Sequence, residues 1–178
     1  MRKKNILICG EPGIGKTTVF RSLVEHHPDK VAGIITEEVL DERSSRIGFR
    51  IRDLLTEETM VLASLQEGAP RVGKYHVHVE ALEGLAMHAI ERALFKGHIV
   101  CIDEIAQMQM LSHAFQGLVR TVLNSKKIVL ATIQSRLHPF SNEIRRRKDV
   151  TLYVVHRMNR GTITTRIETE LLQVVHSY

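Results

Sequence analysis

The residues with the clearest chemical potential form a glycine-rich loop near the amino terminus. Residues 10–17 fit the pattern G-x-x-x-x-G-K-[ST], which wraps nucleotide phosphates. Glycines let backbone N–H groups converge on phosphate oxygens, Lys16 brings a mobile positive charge, and the Thr17 hydroxyl can bind Mg²⁺. We therefore predict a phosphate-binding loop composed of Gly10, Glu11, Pro12, Gly13, Ile14, Gly15, Lys16, Thr17 and Thr18.

Two carboxylates supply the second half of the predicted site. Residues 98–104 form an apolar strand pattern that ends in Asp103 and Glu104. Opposite a phosphate loop, Asp103 would hold Mg²⁺ through a water, and Glu104 would orient or deprotonate the water that attacks the γ-phosphate. A strand end that merely meets solvent is the alternative interpretation of the same two residues.

Other polar residues are weaker candidates, and each has a structural alternative. Gln134 follows the next apolar strand and could sense the γ-phosphate, or lie at the surface. His76 and His78 share one strand face and could bind a metal, although a partly exposed polar face explains them without a third ligand. An arginine could stabilise the charge of the transition state, and Arg160 is the favoured candidate. The alternative is that these arginines are only solvated or ion-paired. The candidates are Arg136, Arg145, Arg146, Arg147 and Arg160.

The elements that must position these residues can be read from the spacing of apolar side chains. Buried or half-exposed strands are predicted at residues 6–9, 31–36, 47–54, 60–63, 74–79, 98–104, 128–133 and 150–155. Helices are predicted directly after the glycine loop and at residues 80–96, 105–124, 141–148 and 162–175. In the last of these, threonines at 162–165 would also suit a strand.

Alternating apolar strands and helices indicate an α/β fold with a mostly parallel sheet covered on both faces. An added β-hairpin region is predicted from the strands at 31–36 and 47–54, with a polar turn at 41–46 between them and an extension at 60–63. Ligands of such sheets bind outside the carboxyl ends of the strands, so the loop, Asp103, Glu104 and Gln134 should converge at one edge.

Length and composition agree with this class. A chain of 178 residues fits one domain over residues 1–178, and its net charge of +5 does not distinguish nucleotide from nucleic-acid partners. Cys9 and Cys101 fall in predicted buried strands, where a thiol is a small apolar filler. Without a membrane-length apolar run or a signal-like segment, we expect a soluble cytoplasmic protein with no membrane partner.

Several further segments resemble the thermophilic, also called cancer-related, nucleoside-triphosphatase family. Their order and spacing cover most of the chain; they are GIITEEV at 33–39, RIGF at 46–49, RVGKYHV at 71–77, IDEI at 102–105 and EIR at 143–145. The resemblance implies a three-layer RecA-like P-loop fold and slow, Mg²⁺-dependent hydrolysis of nucleoside triphosphates. It assigns phosphate binding to Gly13, Gly15, Lys16, Thr17 and Thr18, and metal or water handling to Asp103 and Glu104.

One position departs from that family's pattern. Where the pattern has Asp-Glu-Ile-Gly-Lys-Met-Glu, this chain has DEIAQMQ at 103–109. Gln107 therefore cannot take over a role that a lysine has in the family.

The prediction is a nucleoside triphosphatase that acts on ATP, GTP, CTP and UTP. Loose base selectivity is expected because the N-K-x-D tetrad that recognises guanine is absent from the sequence. Two alternatives stay open. A nucleotide or small-molecule kinase could use the run of arginines at 145–147 as a lid, and a nucleotide-controlled RNA-binding switch could use the basic residues 145–148.

Overall fold

The structure, a computed structural model, describes residues 3–176 and contains one nine-stranded sheet with helices on both faces. The strands are β1 Asn5–Gly10, β2 Val31–Leu40, β3 Arg46–Asp53, β4 Thr59–Ser64, β5 Arg71–Val72, β6 Tyr75–Val77, β7 Ile99–Ile105, β8 Ile128–Gln134 and β9 Val150–Val154. The helices are α1 Lys16–Glu25, α2 Val79–Ala81, α3 Met87–Lys96, α4 His113–Asn124, α5 Pro139–Arg145 and α6 Ile163–Val175. A π-helical stretch, Leu82–Ala86, joins α2 to α3.

Half of the sheet is parallel. The strand order is β5-β6-β4-β3-β2-β7-β8-β1-β9, and the five strands from β2 to β9 in this order pair in parallel. Their apolar residues are buried on both faces, as expected where crossover helices cover a parallel sheet. This half brings the carboxyl ends of β1, β7 and β8 to one edge.

The other half of the sheet is antiparallel, and it corrects the prediction that the sheet is mainly parallel. Strands β3, β4, β6 and β5 continue the sheet from β2 with four antiparallel pairings, equal in number to the parallel ones. The α/β class and the added hairpin are confirmed. Consecutive strands can pair in parallel only when a long crossover connects them. The connections between residues 41 and 78 are short, so the strands there pair antiparallel.

Helices complete three layers with a core on each side of the sheet. On one face α1 and α6 pack against side chains such as Ile8 and Leu130. On the other face α3, α4 and α5 pack against side chains such as Leu7 and Ile102. Cys9 and Cys101 are buried free thiols within these strands. No helix within residues 3–176 is both long and apolar enough to cross a lipid bilayer.

Several predicted boundaries differ from the structure. The predicted helix over residues 105–124 is wrong at its start, because Ile105 still belongs to β7 and the chain makes only a short 3₁₀ turn at Gln109–Leu111. Ser112 then caps α4, since its Oγ accepts from the Phe115 N–H at 3.0 Å. The predicted basic helix at 141–148 is α5, Pro139–Arg145, and the ambiguous tail is helical as favoured.

Candidate active site

The glycine-rich loop leaves β1 at the carboxyl edge of the parallel strands and leads directly into α1. Gly13 and Gly15 have φ angles of 74° and 107°, a left-handed region that residues with a Cβ rarely adopt. The loop therefore turns its backbone around the amino-terminal end of α1, where unpaired N–H groups and the helix dipole favour an anion.

Lys16, the first residue of α1, spans the loop. Its side chain is nearly buried, and its Nζ donates to the Glu11 carbonyl oxygen at 3.3 Å. The same Nζ lies 4.0 Å from Glu104 Oε2 at the end of β7. The lysine is therefore aimed across the mouth of the loop at the carboxylate that the sequence analysis placed opposite it.

Asp103 connects the loop to the sheet. Its Oδ1 accepts a hydrogen bond from Thr17 Oγ1 at 3.3 Å and another from the Thr132 hydroxyl of β8. Burial raises the pKa of Asp103 to about 7, and the Glu104 charge adds to that rise, while the Thr132 and Thr17 hydrogen bonds and the Lys16 charge oppose it. The other carboxylate oxygen, Oδ2, is buried and has no hydrogen-bond partner among residues 3–176.

This arrangement fits a magnesium ion. A buried carboxylate oxygen without a donor is costly unless a cation or water satisfies it, and the Thr17 hydroxyl lies beside the same carboxylate. Mg²⁺ prefers oxygen ligands and commonly takes one or two from protein, with the rest from phosphates and water. No group of three or more His, Cys, Asp or Glu residues suited to a metal occurs within residues 3–176.

Glu104 follows Asp103 through a cis peptide bond and is directed into the open cleft. Its side chain is 31 % exposed. Burial raises the pKa of Glu104, and the Lys16 charge counteracts part of that rise. A carboxylate with a raised pKa is a better proton acceptor near neutral pH than an ordinary surface glutamate.

Thr36 and Gln109 also support this centre, and the sequence analysis missed both as site residues. Thr36 of β2 donates its hydroxyl proton to the Asp103 carbonyl oxygen at 2.6 Å. The buried Gln109 side chain in turn donates to Thr36 Oγ1 at 3.3 Å. Thr36 is the last residue of a predicted strand, so the rule that ligands bind at the carboxyl ends of parallel strands could have selected it as it selected Asp103. Gln109 does not end a predicted strand, and no sequence pattern marked it.

The centre lies in a wide cleft of ≈ 1140 Å³. One wall is the phosphate loop, and the opposite wall comes from the antiparallel half of the sheet, with Arg46, Phe49, Lys74 and Tyr75. None of these four was a candidate site residue, because strand alternation in residues 47–54 and 74–79 indicated only which face was apolar.

The predicted arginines differ in position. Arg136 lines the cleft and contacts Gln107 Oε1 at 3.4 Å, and Gln134 lines it as well. Arg145 instead donates to the Ser135 carbonyl oxygen at 3.1 Å and to Asn142. Arg147 pairs with Asp149, while Arg146 and Arg160 are exposed and outside the residues that line the cleft.

The histidine pair lies elsewhere, on the antiparallel extension. The rings of His76 and His78 are 4.5 Å apart, and His78 Nε2 shares a hydrogen bond with Ser64 Oγ at 3.1 Å. The apolar residues at 108, 110 and 111, which the sequence predicts as core contacts, differ in burial. Met108 and Met110 pack with the core, whereas Leu111 is 37 % exposed.

Comparison with known proteins agrees with this architecture. A sequence model of a family described as NTPase matches residues 5–168. The chain belongs to the NTPase family. It is 43 % identical over 98 % of its length to the Nucleoside-triphosphatase THEP1 of Thermofilum pendens, covering 99 % of that protein, and 40 % identical to that of Methanosarcina barkeri, covering 91 % of this chain and 94 % of the relative.

Solved structures give the same result for the fold. The crystal structure of THEP1 from Aquifex aeolicus has a TM-score of 0.85 and 35 % identity, covering 94 % of this chain and 98 % of that one. The solution structure of a human cancer-related nucleoside triphosphatase has a TM-score of 0.81 and 31 % identity, covering 97 % and 98 %. The resemblance, the P-loop α/β fold and the prediction of a nucleoside-triphosphatase enzyme are thereby confirmed at the level of the family.

Proposed function

We propose that this protein hydrolyses nucleoside triphosphates to the diphosphate and phosphate with Mg²⁺ as cofactor. One observation carries the proposal: Lys16 and Thr17 of the glycine loop lie 4.0 Å and 3.3 Å from Glu104 and Asp103 at the end of β7. Phosphate-binding and acid–base groups are thus within reach of one bound γ-phosphate. The names of the relatives support the same reaction.

Each residue has a defined part in this proposal. The backbone N–H groups of residues 10–18 bind the phosphate chain, and Lys16 bridges the β- and γ-phosphates. Thr17 and Asp103 hold the metal, which when bound neutralises charge on the phosphate oxygens. Glu104 orients the attacking water and takes its proton, and Thr36 holds the backbone that carries both carboxylates.

The base specificity is proposed to be broad, with ATP, GTP, CTP and UTP all used at slow turnover. Support comes from the sequence, which lacks the guanine-recognition tetrad. One domain and a cytoplasmic location also remain predictions from the sequence.

Release of inorganic phosphate from each of the four triphosphates, with and without Mg²⁺, tests the proposal. We expect release from all four, dependent on Mg²⁺ and abolished in Lys16→Ala. Label that moves only to an added hydroxyl or nucleoside monophosphate, and never to water, would contradict hydrolysis.

The two alternative functions lose part of their support. An arginine lid for a kinase would need free guanidinium groups, but Arg145 and Arg147 are bonded to neighbouring residues of their own region. Only Arg146 and Lys148 of the basic run are exposed. RNA binding stays a prediction that affinity measurements over a salt series would test.

A further inference from the structure

The cleft extends beyond the residues that the proposed hydrolysis uses. Its lining includes Arg46 and Phe49 of β3, Lys74 of the β5–β6 turn and Tyr75 of β6, a surface that we call the basic-aromatic wall. The cleft volume of ≈ 1140 Å³ exceeds the roughly 300–1,000 Å³ of pockets for one small ligand. The basic-aromatic wall therefore belongs to a part of the cleft to which the proposed hydrolysis assigns no role.

The basic-aromatic wall is a preformed surface. The Phe49 and Tyr75 rings meet edge to face with centroids 5.3 Å apart. The Arg46 guanidinium carbon lies 5.1 Å from the Phe49 centroid, and its Nε donates to the Tyr75 hydroxyl at 3.2 Å. The Arg46 side chain is still 46 % exposed. A fixed and accessible guanidinium plane over a ring is a surface on which a nucleobase can stack.

The charge of the wall favours an anion. Glu38 is neutralised by Arg46, to which it is bonded at 2.6 Å. Lys74 Nζ lies over the Tyr75 ring at 5.4 Å, and within residues 3–176 neither it nor Arg136 has an acidic partner. Exposed cations without counter-charge at the mouth of a cleft attract phosphate groups.

The position of the wall separates it from the base of the hydrolysed nucleotide. Taking the triphosphate position from the proposed function, the γ-phosphate lies at Lys16 and Glu104, and the loop backbone holds the phosphates nearer the sugar. The sugar and base therefore extend from the end of the phosphate chain remote from Glu104. In the sheet order, β3 and β6 lie beyond β7 as seen from β1, which carries the loop, so we place the wall at the γ-phosphate end.

We propose that the basic-aromatic wall binds a nucleoside monophosphate while a triphosphate occupies the phosphate loop. The base stacks on the Arg46 and Phe49 pair, and Lys74 neutralises the monophosphate. Because the wall and Glu104 line the same cleft, the bound monophosphate limits the access of water to Glu104 and slows hydrolysis without competing for the loop.

Calorimetric titration of AMP into the protein saturated with Mg²⁺ and a non-hydrolysable triphosphate analogue tests this. We expect one saturable site, weakened at least about tenfold by Phe49→Ala and by Lys74→Ala. Ribose 5-phosphate, which has the phosphate but no base, should also bind at least about tenfold more weakly. Phe95→Ala is the matched control, because Phe95 is 86 % exposed on α3 outside the cleft.

Lys16→Ala separates this proposal from the hydrolase. That variant should still bind AMP even if it no longer hydrolyses triphosphate. Displacement of the analogue by AMP, or equal AMP affinity in the Phe49→Ala and Phe95→Ala proteins, would overturn the second site. Phe49 packs on the core, so Phe49→Ala could lower the unfolding temperature. In that case the AMP affinity of Lys74→Ala decides the test, because Lys74 is exposed.

Discussion

Replacing Glu104 by Gln is the most informative single change, because it keeps the shape of the side chain and removes only its charge. Lys16 Nζ lies 4.0 Å from Glu104 Oε2. Two unit charges at that distance attract by about 4 kcal/mol at an effective dielectric constant of 20. Lys16 can therefore pair either with this carboxylate or with an incoming phosphate. The Glu104 charge competes with the phosphate for Lys16 and weakens phosphate binding.

The substitution should separate binding from chemistry. Because Glu104 is 31 % exposed, solvent screens most of the attraction, and we expect roughly 1 kcal/mol, a gain of about fivefold in triphosphate affinity. Loss of the general base should at the same time lower the hydrolysis rate by about 10²- to 10⁴-fold. Direct titration measures the triphosphate affinity, and single-turnover phosphate release measures the hydrolysis rate.

Glu91→Gln is the matched control, since Glu91 is an exposed residue of α3 outside the residues that line the cleft. It should change neither quantity by more than a few-fold. Hydrolysis by Glu104→Gln within tenfold of the normal rate would remove Glu104 from the mechanism. Triphosphate affinity reduced tenfold or more would show that its charge supports the loop instead of competing for Lys16.

Three further perturbations test the surroundings of the site. Thr17→Ala should raise the Mg²⁺ concentration for half-maximal activity about tenfold or more, because a hydroxyl beside Asp103 is lost, as metal titration of the rate would show. Thr36→Val should lower kcat about fivefold, because it removes a hydrogen bond of about 1 kcal/mol to the Asp103 backbone. KM should change little, because Thr36 has no predicted contact with the phosphates. Asp53→Asn should destabilise the fold by about 2 kcal/mol in urea unfolding, because the fully buried Asp53 pairs with the partly exposed Arg92. Burial alone would raise the pKa of Asp53, but hydrogen bonds from the Leu55 N–H and Arg92 hold this pKa below its ordinary value. The loss of stability in Asp53→Asn should therefore persist above about pH 5 and shrink as the pH falls below about 4.

Conservative replacements serve as controls for these changes. Thr17→Ser and Thr36→Ser keep the hydroxyl group and should restore the metal requirement and kcat. Glu143→Gln breaks the exposed pair with Arg120, so it should cost less than about 1 kcal/mol. An unchanged metal requirement in Thr17→Ala, a raised KM without loss of kcat in Thr36→Val, or a stability loss in Asp53→Asn that grows in acid would contradict the respective argument.

The parallel half of the fold could be predicted from the sequence because its signals are local. Apolar runs of strand length precede both the glycine loop and Asp103, and the edge rule for parallel strands then places the loop and carboxylates together. The helix start at Lys16 followed from the motif itself. Thr132, however, was taken as part of a buried strand, and its hydroxyl bond to Asp103 is visible only once β7 and β8 are paired.

The antiparallel half could not be assembled from the same signals. Alternation predicted the strand at 47–54, and an apolar run predicted its extension at 60–63. Strand order, however, depends on pairings between residues far apart, such as Ala63 with Val77. The strand predicted over 74–79 shortens to three residues because the turn at 73–74 and the helical start at Val79 restrict it. The basic-aromatic wall arises only from this assembly, which explains why Arg46, Phe49 and Lys74 were missed as site residues.

Strand β2 explains how the two halves form one cleft. Val31 to Ile35 pair in parallel with β7, but the strand then runs five residues beyond the last β7 partner and pairs only with β3. The antiparallel extension is therefore attached beyond the edge where the phosphate loop lies, and it forms a wall opposite that loop. Thr36 occupies the junction and bonds to the Asp103 backbone. A ligand that shifts the extension should consequently act on the Asp103 backbone through Thr36.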